Sequence, residues 1–460
     1  MGIPKFFRYI TEKYPNIITD DVKTIDNLFF DLNCLIHPVV QQVIKNNPQL
    51  VFKYNIATND SLDTVTLFEK KIYIAMEEYI NYIISFCNPK KLIYFAIDGV
   101  APRSKMKQQR SRRFRSILEK KMRKEINRRY NKEVPFFDSN CITPGTIFMK
   151  KLAVFLRNFL TKNKETFNAT LILSDSGIKG EGEHKILQYM KKNSMEDINL
   201  VYGLDADLIM LNLVNNCQHT YLLREAIHYG KVDTENLLYF NIDLFKEKLY
   251  DSIESPLLIK YTHLNREVEE FEPLELNKEN ILKDYITLCF LIGNDFLPPL
   301  PGIDINNKSI DMLLGIYIDI FSIRQKYLIN EDHTLNFIFL KQIIIQLYDK
   351  ETQILESFQK KKERYRPRLD SSSKHSLEID KLKFYPIFNK TPKNFKYNRS
   401  DWRDNYYKHH FFITNHHKNK KTLHTICQNY IDGLQWNAYY YFSECVSYSW
   451  YYKYHASPTL

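Results

Sequence analysis

The stretch KLIYFAID (residues 91–98) is a short apolar run that ends in an aspartate, and it decides the fold of the first three hundred residues. Three other stretches have the same form: NLFFD (27–31), TLILSD (170–175) and NLVYGLD (199–205). Helical patterns lie between these runs, at residues 67–86 and 146–159. Strands that alternate with helices predict an α/β fold, with a mostly parallel central sheet flanked by helices.

All four runs end in an aspartate, and ligands of open α/β sheets bind beyond the carboxyl ends of the strands. A single aspartate at such a position usually caps the helix that follows. Four of them make capping alone a poor explanation. We therefore expect acidic side chains to converge at this edge of the sheet.

Seven acidic residues stand in short motifs: Asp31 in FDLNCLIH, Asp98 in AIDGVAPR, Glu181 and Glu183 in KGEGEHKI, Asp205 and Asp207 in GLDADLIML, and Asp295 in GNDFLP. Two pairs have i,i+2 spacing, which in extended backbone directs both carboxylates to one side. Like charges held close together are unfavourable unless a cation lies between them. Because Mg²⁺ and Mn²⁺ prefer oxygen ligands, the set predicts a phosphodiester hydrolase that uses two such ions.

Other interpretations of these acids remain open. Asp98 followed by Gly99 is typical of a turn, and Asp295 could cap a helix. Asp31 could also be the nucleophile of a haloacid-type phosphatase. That chemistry needs a second aspartate two residues later, where this chain has Asn33.

Positive charge is concentrated in one segment. The chain has 65 Lys and Arg against 54 Asp and Glu, a net charge of +11. Residues 102–132 contain 14 basic and two acidic residues, so the rest of the chain is close to neutral. Such a segment indicates a phosphate site, although a solvated helix face is the alternative.

Within that segment, Lys105, Gln109 and Arg112 follow i, i+4, i+7 spacing, with Arg113 adjacent. On a helix these side chains share one face. Arginine forks beside a lysine suit a terminal 5′ phosphate. A general surface that follows any nucleic-acid backbone is the alternative, and spacing alone does not decide between them.

The sequence changes character towards its end. We predict a nuclease core at 1–350, a basic linker or mobile insertion at 351–400, and a helical, aromatic-rich segment at 401–460 that packs on the core and completes the active site. The chain has 32 Tyr and 30 Phe, most of which must be buried, whereas exposed rings near a basic groove would stack on bases.

Two compositional features bear on the compartment. No apolar run approaches the length of a membrane span, so we expect no membrane insertion. Seven scattered cysteines without a C-x-x-C pair suit a reducing intracellular compartment. The lysine cluster 360–362 is a weak nuclear signal, and the cytoplasm is favoured.

The motifs resemble the XRN family of 5′→3′ exoribonucleases. MGIPKFFRYITEKYP, FDLNCLIH, IDGVAPRSKMKQQRSRRF, GEGEHKI, GLDADLIML and GNDFLP carry the resemblance over residues 1–320, and DWRDNYYKHHF with GLQWNAYYYFSECVSYSWYYKYHASP extends it over 400–460. The resemblance implies a 5′ nuclease-like (PIN-like) core. The chain ends soon after the second segment, so we expect a compact form without the C-terminal accessory domains of larger members. Its Lys, Asn, Ile and Tyr richness suits an AT-rich genome and is compatible with a virus-encoded enzyme.

The resemblance also implies roles for individual residues. The seven acids match the family's metal ligands, and Lys105, Gln109, Arg112 and Arg113 match its 5′-monophosphate pocket. His37 matches a histidine that stacks on the first base, and Trp450 is the tryptophan expected on the other side of the bases. The family usually has a second tryptophan where this chain has Tyr448. The implied partners are single-stranded RNA with a 5′ monophosphate and a decapping or RNA-processing protein.

Three functions compete at this point. The first is hydrolysis of 5′-phosphorylated RNA to mononucleotides. The second is a flap-type 5′ nuclease on DNA, which would normally carry a glycine-rich helix-hairpin-helix after its last acid, where this chain has FLPPLPGIDINNKSI (296–310). The third is RNA binding without catalysis, which the basic segment and the aromatic tail would serve equally well.

Overall fold

The computed structural model of the chain describes all residues except 1–2, 20, 23, 57–64, 135–136, 229–230, 267–271 and 385–395. Within the described residues, seven strands form one sheet in the order β1-β7-β6-β5-β2-β3-β4. The strands are β1 (Ile18–Thr19), β2 (Asn27–Asp31), β3 (Leu92–Ala96), β4 (Thr170–Ser174), β5 (Asn199–Tyr202), β6 (Thr220–His228) and β7 (Lys231–Asn241).

Helices make up much of the rest of the described chain. They are α1 (Phe6–Lys13), α2 (Leu32–Asn46), α3 (Pro48–Ile56), α4 (Leu67–Cys87), α5 (Arg103–Arg129), α6 (Ile147–Lys162), α7 (Gly182–Asn193), α8 (Ala206–Leu213), α9 (Ile242–Leu264), α10 (Lys278–Phe290), α11 (Ser309–Arg324), α12 (Phe337–Tyr348), α13 (Glu351–Arg364), α14 (Lys374–Phe384), α15 (Trp402–Phe411) and α16 (Lys420–Phe442).

The predicted α/β fold with a mostly parallel sheet is confirmed. Strand β2 lies between β3 and β5 and is parallel to both, while β4 and β6 extend the parallel part at either side. The antiparallel pairing of β7 with β6 and β1 was not predicted. Strands β3 and β5 end earlier than predicted, so Asp98 and Asp205 lie in the loops that follow them.

Aromatic side chains fill the centre of this sheet. All five residues of β2 are buried, which is typical of a parallel strand covered on both faces. Phe30 of β2 stacks on Phe95 of β3 with ring centroids 4.9 Å apart, and it contacts Tyr202 of β5 at 5.7 Å. Much of the aromatic content therefore builds the core that holds these strand ends in place.

The chain divides into two compact units. The sheet unit comprises Ile10–Ala101 and Lys132–Lys246, and the helical unit comprises Met1–Tyr9, Pro102–Asn131 and Glu247–Leu460. Helices α13 and α14 occupy much of the predicted linker, which also includes residues 385–395, outside the described part.

The C-terminal segment is helical, as predicted. It contains α15 and α16, and Tyr441 of α16 packs against Phe290 of α10 at 5.0 Å within the helical unit. The division into functional segments at 1–350, 351–400 and 401–460 stays a prediction.

Candidate functional site

Three of the predicted acids follow the parallel strands of the sheet unit. Asp31 is the last residue of β2 and the N-cap of α2, where its Oδ1 accepts a hydrogen bond from Asn33 N at 3.3 Å. Asp98 follows β3, and Asp205 is the N-cap of α8 after β5. Capping and the predicted ligand role therefore coincide at Asp31.

The two i,i+2 pairs are only half in extended backbone, because Glu181 and Asp205 have extended φ and ψ angles whereas the second acid of each pair is helical. Glu181 is the N-cap of α7 and Glu183 lies in its first turn, while Asp205 and Asp207 stand in the same way at α8. Each pair thus lies at a helix N-terminus, where the helix dipole favours negative charge. The start of a helix replaces the strand as the element that presents both carboxylates.

Gly182 shows how closely these acids approach each other. Its N–H donates to Asp98 Oδ1 at 2.7 Å. A Cβ atom at this position would lie 3.0 Å from Asp31 Oδ1 and 3.5 Å from Asp98 Oδ1. The carboxylates of Asp31 and Asp98 therefore meet at the start of α7, between Glu181 and Glu183.

Like charge accumulates around Asp31. Burial, followed by the charges of Asp98 and Asp205, raises the pKa of Asp31 to about 7. Ligand atoms of Asp31, Cys34 and Asp205 all lie within 4.8 Å of one another, as do those of Glu181, Glu183 and His184. Several carboxylates this close together repel one another when they are ionised. A divalent cation bound between them would remove that repulsion, so the site fits such an ion.

Cys34 and His184 were not predicted as part of this site. The Cys34 thiol lies 3.3 Å from Asp31 Oδ2 and accepts a hydrogen bond from Leu204 N at 3.4 Å. Burial raises the pKa of Cys34 well above its ordinary value, so this side chain stays a neutral thiol that orients Asp31. Its position three residues after Asp31, at the start of a helix, is a signal that the sequence offered.

Lys185 was also missed, and it supports the loop that carries Asp98. Its Nζ donates to the carbonyl oxygens of Ile97 at 2.8 Å and Asp175 at 2.9 Å. Burial lowers the pKa of Lys185 to about 8, although Asp98 and Asp175 oppose that shift. Asp175, the fourth strand-end aspartate, accepts a bond from Gly177 N at 2.8 Å and serves as a turn residue.

The remaining predicted acids have different surroundings. Asp207 is buried in the first turn of α8 in the sheet unit. Asp295 belongs to the helical unit and follows α10. Short distances and mutual charge effects group five of the acids within the sheet unit: Asp31, Asp98, Glu181, Glu183 and Asp205. Asp295 has its own neighbours in the helical unit.

Asp295 pairs with a residue that was predicted to bind phosphate. Lys105 Nζ on α5 lies 2.7 Å from Asp295 Oδ2, and both side chains are buried. Gln108 Nε2 donates to Asp295 Oδ1 at 3.3 Å. Burial raises the pKa of Asp295, but opposing effects, among them the charge and hydrogen bond of Lys105 and the charge of Arg112, together hold this pKa below its ordinary value.

The predicted helix through the basic segment is confirmed as α5. Arg112 is exposed, and Gln109 and Arg113 are half-buried, with Arg113 Nη2 donating to Gln109 Oε1 at 3.3 Å. Burial and then the charge of Arg112 lower the pKa of Arg113 below its ordinary value. These three side chains offer donors to an anion, whereas Lys105 already has Asp295 as a partner.

The two predicted stacking residues lie in different units. His37 is exposed within α2. Trp450 is half-buried and stacks on Trp436 with centroids 5.3 Å apart, and Trp436 stacks in turn on Tyr440 at 4.8 Å. The sequence did not predict this ladder of three rings, which holds Trp450 in place.

Comparison with known proteins identifies the family. Residues 1–226 match the model of the XRN 5′-3′ exonuclease N-terminus, and residues 275–393 and 390–460 match the model of the Xrn1 helical domain. These matches cover most of the chain. The chain belongs to the XRN family of 5′-3′ exonucleases, which confirms the resemblance of its motifs.

Several curated relatives are similar along the chain. A 5′-3′ exoribonuclease 1 from Schizosaccharomyces pombe is 28% identical, covering 100% of this chain and 42% of the relative. The human 5′-3′ exoribonuclease 1 is 29% identical over 100% of this chain and 29% of its own length. A 5′-3′ exoribonuclease 2 from Candida glabrata is 32% identical over 78% of this chain and 39% of the relative. The chain thus spans less than half the length of these relatives.

A solved structure, the catalytic core of Rad2 in complex with DNA substrate, aligns over 91% of this chain and 98% of its own, with 12% identity and a TM-score of 0.36.

Among the described helices, none combines the length and the apolar character needed to cross a membrane.

Proposed function

We propose that this chain is a metal-dependent 5′→3′ exoribonuclease that hydrolyses single-stranded RNA with a 5′ monophosphate to mononucleotides. The observation that carries the proposal is the crowding of Asp31 with Asp98 and Asp205 in a buried site at the carboxyl ends of parallel strands. Membership of the XRN family and relatives named 5′-3′ exoribonuclease support it.

The acids of the proposed site are Asp31, Asp98, Glu181, Glu183, Asp205, Asp207 and Asp295. They would hold two Mg²⁺ or Mn²⁺ ions, which supply an activated water and stabilise charge on the scissile phosphate. Other residues of the chain hold these carboxylates in position. Gly182 N and Cys34 orient Asp98 and Asp31, while Lys185 fixes the loop of Asp98.

Specificity for the 5′ end would come from α5. Gln109, Arg112 and Arg113 present donors on one helix, and arginine forks match a terminal phosphate well. Lys105 would bind the phosphate and also set the charge of Asp295, because one ammonium can donate to both anions. His37 and Trp450 would stack on bases, which tolerates any RNA sequence.

The setting of this activity is part of the proposal. A decapping or RNA-processing partner would supply the 5′ monophosphate on which the enzyme depends. A reducing compartment, with the cytoplasm favoured over the nucleus, suits the seven free thiols of the described chain.

The test is a digestion with Mg²⁺ or Mn²⁺ of four single-stranded RNAs of one sequence, each labelled at its 3′ end. They carry a 5′ monophosphate, hydroxyl, triphosphate or cap, and a DNA duplex with a 5′ flap forms a fifth substrate. We expect rapid loss of the monophosphate RNA alone. Equal cutting of all four RNAs would reject the phosphate pocket, and preference for the flap would favour the DNA nuclease.

Two variants separate the roles. Asp205→Asn with Asp207→Asn should abolish turnover and retain RNA binding, whereas Asp251→Asn on the exposed side of α9 should leave both unchanged. Arg112→Gln should reduce discrimination between monophosphate and hydroxyl RNA, with the exposed Arg123→Gln as its control on the same helix. Activity that survives the double variant would reject the metal site and favour another catalytic group.

A further inference from the structure

A second group of metal-ligating side chains lies in the helical unit, where the turn between α15 and α16 contacts the first turn of α15. Ligand atoms of Asp404, His416 and His417 all lie within 4.8 Å of one another. His416 Nδ1 is 2.6 Å from Asp404 Oδ1, and the same oxygen accepts the backbone N–H of His416 at 3.1 Å. The rings of His416 and His417 have centroids 3.7 Å apart, so both imidazoles stand beside one carboxylate.

The surroundings fix one ligand and leave another adjustable. The His416 ring is buried and stacks on Tyr407 with centroids 5.4 Å apart and an interplanar angle of 20°. Tyr407 itself belongs to a buried cluster with Leu355, Trp402 and Tyr406. His417 is exposed, and its side chain can turn without disturbing that cluster.

We propose that Asp404, His416 and His417 form a Zn²⁺ site, with water completing a tetrahedral set. Two imidazole nitrogens and one carboxylate oxygen are ordinary zinc ligands, whereas Mg²⁺ and Ca²⁺ prefer oxygen ligands alone. Ligands about 2.0–2.2 Å from zinc are separated by roughly 3.3 Å in a tetrahedron. Binding therefore requires His416 and Asp404 to separate by less than about 1 Å, a change that side-chain rotation can supply.

Zinc at this position ties the turn to α15. Residues Phe412 and Asn415 have φ angles of 59° and 53°, in the left-handed region, so the turn is held in an uncommon backbone conformation. A metal bridge from Asp404 to His417 stabilises that conformation and thereby fixes the start of α16. Exposed Lys418 and Lys420 repel a cation, so we expect weaker binding than at a site with four protein ligands.

The experiment is a Zn²⁺ and Co²⁺ titration of the chelator-treated full chain, with excess Mg²⁺ present to occupy the carboxylate site. We expect one bound Zn²⁺, a rise in Tm, and Co²⁺ absorption bands of a four-coordinate nitrogen and oxygen site. His417→Ala changes an exposed side chain and should weaken binding at least about tenfold without altering the metal-free Tm. His424→Ala, another exposed histidine, is the matched control and should bind as the unmodified chain does.

A second variant, Asp404→Asn, should retain the backbone hydrogen bond to His416 and lose the Co²⁺ bands. Equal Zn²⁺ affinity in the unmodified chain and in His417→Ala would overturn the proposal. So would six-coordinate Co²⁺ bands that vanish only in Asp205→Asn with Asp207→Asn, because the metal would then be in the carboxylate site. These outcomes do not depend on RNA hydrolysis.

Discussion

At the scale of single residues, Lys105 and Asp295 form a buried ion pair. The sequence assigned Lys105 to a phosphate pocket and Asp295 to a set of metal ligands, so the pair connects the two predicted sites. Removing one partner of a buried ion pair leaves an uncompensated charge. We expect Lys105→Met to lower the free energy of unfolding by about 3 kcal/mol, measured by urea denaturation. It should also reduce hydrolysis of monophosphate RNA.

The double variant Lys105→Met with Asp295→Asn distinguishes the two effects. It removes both charges, so most of the lost stability should return. Hydrolysis should stay low, because a proposed metal ligand and a phosphate contact are both absent. If stability does not recover, the cost of Lys105→Met lies in packing and not in the charge of Asp295.

Asp31 gives the site a pH dependence with a definite sign. Its pKa in the folded chain, about 7, lies above the ordinary value of 3.8. Asp31 therefore stabilises the fold at low pH, and this contribution is lost as the pH rises through about 7. A divalent ion competes with that proton, so Mg²⁺ should bind about tenfold more weakly at pH 6 than at pH 8.

Isothermal titration of Mg²⁺ at the two pH values checks this expectation. Asp31→Asn should bind more weakly at both and lose most of the pH dependence, because the titrating carboxyl is gone. Equal affinity of the unmodified chain at pH 6 and pH 8 would show that Asp31 carries no proton in the folded state at pH 6.

At the scale of elements, α16 holds the ring ladder through one close approach. A Cβ atom on Gly433 would lie 2.6 Å from Leu297 Cδ2 and 2.8 Å from Trp450 Cη2. Gly433→Ala should therefore displace Trp450, cost about 1–3 kcal/mol of stability, and weaken binding of single-stranded RNA. Gly315→Ala on α11 is the control, because a Cβ there has open space and should stabilise the helix by up to about 1 kcal/mol.

Tryptophan fluorescence reports the displacement of Trp450 and, during denaturation, the loss of stability of Gly433→Ala. Anisotropy of a labelled RNA reports its binding separately. A loss of stability with unchanged RNA affinity would mean that Trp450 takes no part in stacking on bases. The stability of Gly315→Ala shows whether an added methyl group is harmful at an uncrowded helical position of the same unit.

The elements also show what could be read from the sequence. Short apolar runs identified β2, β3 and β5, because a strand buried on both faces needs a nearly continuous apolar sequence. The same signal also identified β4, although this edge strand is only partly buried. The same runs did not give the β6–β7 pairing, which depends on contacts between strands. Nor did they give the helix N-termini that present Glu183 and Asp207, because i,i+2 spacing fits either conformation. Lys185 and Cys34 were missed since their role is to orient other residues.

At the scale of the whole molecule, positive charge is unevenly distributed along the chain. Residues 102–132 carry a net charge of +12, against +11 for the whole chain, and α5 spans nearly all of them. If α5 is the principal contact for RNA phosphates, the salt dependence of binding should come mainly from this helix. Each phosphate contact on a single strand contributes about −0.7 to the slope of log K against log salt.

Removing Arg112 and Arg113 together, as glutamines, should reduce that slope by about 1.4, because two contacts are lost. Lys360 and Lys361, exposed on α13, lie outside the basic segment, so their replacement by glutamine should leave the slope unchanged. Anisotropy of a 5′-monophosphate RNA between 50 and 200 mM salt, in the inactive Asp205→Asn with Asp207→Asn background, measures both. A 5′-hydroxyl RNA of the same sequence then divides the loss. If the two arginines bind the terminal phosphate, their removal should weaken binding of the monophosphate RNA alone. An equal loss of affinity for both RNAs would instead indicate that α5 contacts internal phosphates.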